Sequence, residues 1–291
     1  MNKPLGIRNA LILLLVPCAL LAAFTHYPLV QSVLGSFWNN GTKIRPSRFV
    51  GLRNYEHLLN DDTLMQVLWN SMLYALVTIP ITIALSLSMA LLVNSKLPGR
   101  PLMRLSFFLP TMLPMIAVAN LWLFVYVPDI GLIAKFMSLF GLPSPNLLGN
   151  ADTALWAMMV VAVWKETGLF MIFYLAALQS VPTSLKEAAR LEGAGPIHVF
   201  FNIVLPLLAP TTVFVAVNAM LNAFRLVDHV VVMTYGGPNN ATSLLLYYIY
   251  KVTFGYRDFA YGSTLTVLLA SLLGLLAFVQ FKILDRRAHY Q

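Results

Sequence analysis

The chain has 291 residues, 59% of them hydrophobic and 10% charged, with a formal net charge of +8. Soluble domains carry roughly 25% charged residues, so this composition excludes an ordinary water-soluble domain and points to a bilayer as solvent. One cysteine, Cys18, excludes an intrachain disulfide, and no Cys/His spacing of a zinc site is present.

A helix crossing ~30 Å of hydrocarbon needs ~20 mostly apolar residues. Six runs meet this requirement, at about 10–30, 70–93, 105–127, 153–178, 207–233 and 262–283. Backbone groups in lipid must be paired internally, and the strict alternation of a barrel strand is absent. The sequence therefore predicts an all-α integral membrane protein with six transmembrane helices in one domain, 1–291, without internal repeats.

The first run follows Lys3 and Arg8. It is long for the apolar core of a secretory signal and lacks a small-x-small cleavage site, so it is read as a retained membrane helix. Residues 38–69 form the longest polar connection. Within it, "SRFVGLRNYEHLLNDDTL" predicts a turn and a short amphipathic helix at the interface. A basic piece, 94–104, joins the second and third runs. "GLPSPNLLGNADT" before the fourth run is rich in turn residues. After the fifth comes "YGGPNNAT", then "LLLYYIYKVTFGYRDFAYG", whose tyrosines suit a membrane interface. Pro17, Pro80, Pro110, Pro114 and Pro210 fall in the runs and predict kinks.

The pieces 1–9, 94–104, 179–206 and 282–291 hold ten Lys/Arg, against seven in the much longer loops of the other side. This density puts both termini in the cytoplasm, with "KILDRRAHYQ" as an inner anchor. The same asymmetry explains the positive charge, so no nucleic-acid partner is expected.

None of the eight lysines is followed by Ser or Thr, so the chain has no phosphate-binding P-loop. Hydrolase, zinc-protease and kinase motifs are also absent. No catalytic residue, metal ligand or cofactor of the chain's own is expected.

One piece breaks the pattern. "SLKEAARLEGAGPIHVFFNIVLPLLAP", 184–210, is charged and interrupted by glycine between two apolar runs. Ser184 and Glu187 fit a capping box, which predicts a helix start. Gly193 suits its end, and Gly195-Pro196 suits a turn into a second helix. Two short helices on the cytoplasmic face follow. They either dock in a partner's groove or form a solvated loop in which Glu187 is only a cap.

Glu187-Ala188-Ala189, three residues, Gly193, nine residues, Ile203, one residue, Leu205-Pro206: this spacing resembles the EAA loop of ABC importer permeases. Val163-Trp164, "AALQSVP" at 176–182, "GAGP" at 193–196 and "GGP" at 236–238 are similar to the carbohydrate-type members, which include maltose and glycerol-3-phosphate importers. The resemblance implies a type I importer fold in the bacterial inner membrane. It implies that 179–206 is a coupling loop inserted into an ATPase subunit. Glu187 would then meet a basic residue, Gly193 and Gly195 would shape the bend, and Ala188 and Ala189 would set the close fit. The implied partners are a second, homologous permease, two ATPase subunits carrying ATP and Mg, and an extracytoplasmic solute-binding protein. The implied cargo is a carbohydrate, a polyol or a glycerol-phosphate-like solute.

Charges inside spans are costly and usually functional. The fourth run carries Lys165 and Glu166. The fifth carries Asn218, Asn222, Arg225 and His229, spaced to share a helical stripe, with Asp228 at pairing distance from Arg225. In the resembled family, solute contacts follow the matching tryptophan of the fourth span and a polar stretch of the fifth. Lys165, Glu166, Asn218, Asn222 and Arg225 are thus candidate solute contacts, with Trp164 and Phe170 as aromatic faces. The other reading is that Lys165/Glu166 and Arg225/Asp228 simply neutralise each other.

Two rival readings remain. An ion-coupled transporter working alone predicts broken helices in repeated halves, which the sequence does not display. A non-transporting membrane scaffold accounts for the docking segment but leaves the intramembrane charges idle.

Overall fold

A computed structural model describes residues 7–41, 46–95 and 97–285. Lys3 and residues 286–291, most of the expected inner anchor, lie outside them, as does the side chain of Arg8.

In chain order, α1 spans Ile7–Leu21 and continues through a π-helical turn, Ala22–His26, into α2, Tyr27–Gly35. Next come α3 (Arg53–Leu59), α4 (Asp62–Asn94), α5 (Arg100–Met112), α6 (Met115–Tyr126), α7 (Leu132–Ser138) and α8 (Ala151–Ser180). After these lie α9 (Thr183–Leu191) and α10 (Pro196–Val199), which runs through a π turn, Phe200–Val204, into α11 (Leu205–Leu207). The chain then forms α12 (Ala209–Arg225), α13 (Asp228–Met233), α14 (Leu245–Tyr250), a π turn at Lys251–Gly255, and α15 (Phe259–Asp285).

Five stretches are long and apolar enough to cross a bilayer: Leu13–Gly35, Asp62–Asn94, Ala151–Ser180, Ala209–Met233 and Phe259–Gln280. The sixth candidate is the pair Arg100–Met112 and Met115–Tyr126, bent by 103°. The sequence predicts one kinked helix over 105–127. Instead the chain breaks at Leu113, which is extended (φ −81°, ψ 140°) because the Pro114 ring disfavours helical geometry in the residue before it. Pro114 is also extended and caps α6. A broken helix therefore exists where the sequence shows only proline. By contrast Pro17, Pro80 and Pro110 stay inside their helices.

The chain gathers into two compact units. One comprises Met1–Asp61 and Ile249–Leu272. Its described side chains from Leu13 to Val30 are exposed, as suits a helix facing lipid or another subunit. Around the buried Ser36 its backbone is tied by side chains. Asn54 Nδ2 donates to the carbonyls of Ser36 (2.8 Å) and Trp38 (2.9 Å), and Tyr261 Oη donates to Asp61 at 2.6 Å. The short helix expected in "RNYEHLL" is present as α3.

The other unit, Asp62–Tyr248 with Leu273–Gln291, is built on α8. Helices α4, α5 and α12 pack on it. Its core includes Ala90, Phe170, Met171, Tyr174, Leu208 and Val215. In lipid, tight packing rather than water release holds such helices together, and small residues permit close approach. Gly168 is the clearest case. A Cβ there would lie 2.0 Å from the Phe107 carbonyl oxygen on α5.

The turn-rich connections hold more helix than the sequence predicts. α7 lies in the connection before the fourth run, and α14 in the one after the fifth. Tyr247 and Tyr248 are buried rather than at an interface, because α14 packs inward.

Candidate functional site

Four helices bring polar side chains together inside the second unit. Tyr74 on α4 is buried, and its Oη lies 3.1 Å from Nε2 of the fully buried His229 on α13. Glu166 on α8 accepts a hydrogen bond from the Asn222 amide of α12 and feels the positive charge of Lys165 beside it. The result is a polar chain made of two pairs, His229 with Tyr74 and Glu166 with Asn222, with Lys165 beside Glu166. Buried polar groups of this kind are costly in a membrane unless paired or used.

The backbone around Glu166 is held firmly. Thr111 Oγ1 donates to the Lys165 carbonyl at 3.0 Å, and Ser86 Oγ donates to the Thr167 carbonyl at 3.0 Å. Beside this, Trp164 is 42% exposed and meets Trp122 edge-on, with ring centroids 5.6 Å apart. Trp164 and Trp156 line a cavity of about 410 Å³ between α4 and α8, walled by Val77, Ile81 and Val160. The cavity wall is aromatic and aliphatic, a surface of the kind that meets the C–H face of a solute; Tyr74, Lys165, Glu166, Asn222 and His229 do not line it.

The candidate residues do not all gather there. Phe170 is 1% exposed within the packed core and has no free face, so the expected aromatic surface is not available from it. Asn218 turns its amide to its own helix, donating to the Phe214 carbonyl at 2.7 Å. The stripe expected through Arg225 and His229 is interrupted. α12 ends at Arg225 and Leu226 is extended, so helical spacing no longer applies beyond it. Arg225 is exposed, and among the described residues no ion pair joins it to Asp228. His229 lies near the end of its run in sequence, yet it is buried against Tyr74. No group of three or more potential metal ligands occurs among the described residues.

Sequence reasoning missed Tyr74, Asn70 and Gln66 on α4. The signal was there: Asn70 and Tyr74 are four apart, hence on one face. Asn70 Nδ2 donates to the carbonyls of Asn240 (2.9 Å) and Ser243 (3.3 Å), and Gln66 donates to the Asn239 carbonyl at 3.0 Å. The loop so held contains Tyr235, Gly236, Asn239 and Asn240, all at positive φ. Asn and Gly tolerate that geometry best.

At the opposite end of α8, α9 begins at Thr183 with Pro182 as N-cap and no side-chain cap. The helix start is where the sequence puts it, but Ser184 already lies inside the helix and does not cap it. The end matches expectation. Gly193 has φ +85°, Gly193 N donates to the Arg190 carbonyl and Ala194 N to the Ala189 carbonyl at 2.9 Å, a Schellman-type closure. Gly195 then caps α10, with Pro196 at its first turn. Glu187 and Ala188 are exposed. Ala189 is half-buried and packs, with Ala194, on the core of its own chain. Leu191 (90% exposed) and Ile197 (73%) project from this segment without an internal partner.

Comparison with known proteins fits this arrangement. Residues 81–290 match the family described as "Binding-protein-dependent transport system inner membrane component". The sn-glycerol-3-phosphate transport system permease protein UgpA of Yersinia pestis is 33% identical over 288 residues, covering 96% of this chain and 95% of the relative. The sulfoquinovosyl glycerol transport system permease protein SmoG of Agrobacterium fabrum is 33% identical over 270 residues, covering 92% and 88%. A bacterial alginate ABC transporter, solved with its alginate pentasaccharide-bound periplasmic protein, contains a chain of the same fold, with a TM-score of 0.85 at 17% identity over 96% of this chain and 95% of that one. The chain belongs to the family of binding-protein-dependent transport system inner membrane components and is a multi-pass permease subunit of an ABC importer, not itself an enzyme.

Proposed function

We propose that this permease carries a carbohydrate or a related polyol or glycerol-phosphate-like solute across the bacterial inner membrane, and that 179–206 couples it to a separate ATPase. The observation carrying this reading is the α9–α10 segment. It is fixed to its own core through Ala189 and Ala194, while Glu187, Leu191 and Ile197 face outward. A segment rigid on one side and unsatisfied on the other is suited to a lever seated in a partner. Gly193 and Gly195 shape its bend, Ala188 allows close approach, and Glu187 meets a basic group.

In this reading the complex holds a second, similar permease, two ATPase subunits that bind ATP and Mg, and an extracytoplasmic solute-binding protein. Both termini lie in the cytoplasm. Solute passes beside Trp164, with Lys165, Glu166 and Asn222 as its polar contacts and Asn218 and Arg225 further along the path. The carbohydrate and glycerol-phosphate names of the relatives support the cargo class. ATP binding draws the coupling segments together and opens the cavity outward; hydrolysis resets it.

The test is the ATPase rate of the reconstituted complex, with and without solute-loaded binding protein, for wild type and Glu187→Ala. Stimulation that collapses in the variant, with the chain still folded, supports the coupling role. An unchanged rate removes Glu187 from coupling. Testing glycerol phosphate, sugar glycosides and neutral disaccharides in the same assay identifies the cargo, and no stimulation by any of them overturns the cargo class.

A further inference from the structure

A second site lies away from the polar chain, at the start of α5. Arg100 and Arg104, one helical turn apart, line a cavity of about 610 Å³ with Pro101, Leu105, Phe108 and Ile172. Both arginines are exposed, and no ion pair holds either one among the described residues. Arg100 makes one internal bond, from Nε to the Leu97 carbonyl at 3.2 Å, which leaves its other donors free. The site is at the coupling-segment end of the unit, because Ala90 and Val93 at the end of α4 share a core with Leu178 and Val199.

We infer that this cavity binds an anionic phospholipid of the cytoplasmic leaflet, with the phosphate between Arg100 and Arg104 and an acyl chain along Leu105, Phe108 and Ile172. Three features support a lipid. Two guanidinium groups on one face form a fork suited to phosphate oxygens. The wall beyond them is apolar, so the cavity is polar at one end only. From Arg100 to Phe108 the helix rises about 12 Å, enough to separate a headgroup contact from acyl-chain contacts along one wall. Basic pockets between membrane helices on the cytoplasmic side have the charge to hold such headgroups. Only the choice of leaflet depends on the orientation proposed above; the site itself does not depend on the solute.

The experiment is native mass spectrometry of the detergent-purified importer complex, titrated separately with phosphatidylglycerol, phosphatidylcholine and free glycerol phosphate. Wild type is expected to retain phosphatidylglycerol at least tenfold better than phosphatidylcholine. The double variant Arg100→Gln/Arg104→Gln is expected to lose that preference. Leu105→Trp keeps both charges but fills the exposed groove, and is expected to lose phosphatidylglycerol as well. Equal retention of the two lipids by wild type overturns the proposal, as does phosphatidylglycerol retained by both variants. Competition by free glycerol phosphate at lipid-like concentrations would reassign the arginines to a soluble phosphate. Failure of the glutamine variant to assemble with the partner subunits would reassign the face to a protein contact.

Discussion

Two glycine–proline turns stand at opposite ends of the second unit and are built in opposite ways. At "GAGP" Gly193 has φ +85° and a Cβ there would meet nothing within 4 Å. At "GGP" Gly236 has φ +78° and a Cβ would lie 2.4 Å from Ser243 Oγ and 2.6 Å from the Tyr247 ring. Both glycines answer the same backbone demand. Only the second is also walled in. The turn at "GGP" is held by its own chain, through Asn70, Gln66 and the Tyr247 hydroxyl on the Tyr235 carbonyl at 2.7 Å. The turn at "GAGP" is held on one side and open on the other. A turn closed by its own chain keeps a shape, whereas a turn left open presents one.

Substitutions can separate these roles. The largest loss of stability is expected for Gly236→Ala, about 2–4 kcal/mol, from left-handed strain plus overlap. Thermal denaturation of the purified chain reads it, and a melting point near wild type would mean that the loop around Gly236 yields easily. Asn70→Leu comes next at about 2 kcal/mol, because it removes the amide donor shared by the Asn240 and Ser243 carbonyls, leaving Asn240 only the Ser243 N–H. Faster hydrogen exchange confined to 235–243 should accompany it, and protection unchanged there would sink the clamp. Leu191→Glu, on the open side, should leave melting within about 0.5 kcal/mol while lowering solute-stimulated ATPase activity about tenfold, equivalent to about 1.4 kcal/mol. A full rate would show that this exposed side chain faces water rather than a partner. Gly193→Ala carries strain without overlap and should cost about 1 kcal/mol. If it costs as much as Gly236→Ala, the contrast between the turns fails.

The sequence made the spans and the two short helices of 183–199 legible because both are local. Apolar runs announce membrane helices, and Gly193 with Gly195-Pro196 announces a helix end and restart within a few residues. The break at Leu113 was less visible, since Pro110 and Pro114 look alike in sequence but only Pro114 follows an extended residue. The polar chain was half legible. Lys165, Glu166 and Asn222 stood out as polar groups in apolar runs. Tyr74 did not, because a tyrosine in a membrane helix reads as ordinary, and its meeting with His229 spans 155 residues of sequence. Phe170 was misplaced for the converse reason: periodicity alone does not say which face of α8 a neighbouring helix covers.

α4 has 33 residues, about 50 Å of helix against ~30 Å of hydrocarbon. Near its beginning it grips the 235–243 loop through Gln66 and Asn70; near its end, Ala90 and Val93 sit in the core on which Ala189 and Ala194 pack. A push at one end of such a rod arrives at the other as a tilt, without a relay of side-chain rearrangements between. Pro80, a little past the middle, removes one hydrogen bond from the rod's spine. That single soft point sets how much of the tilt is transmitted and how much is absorbed as bending.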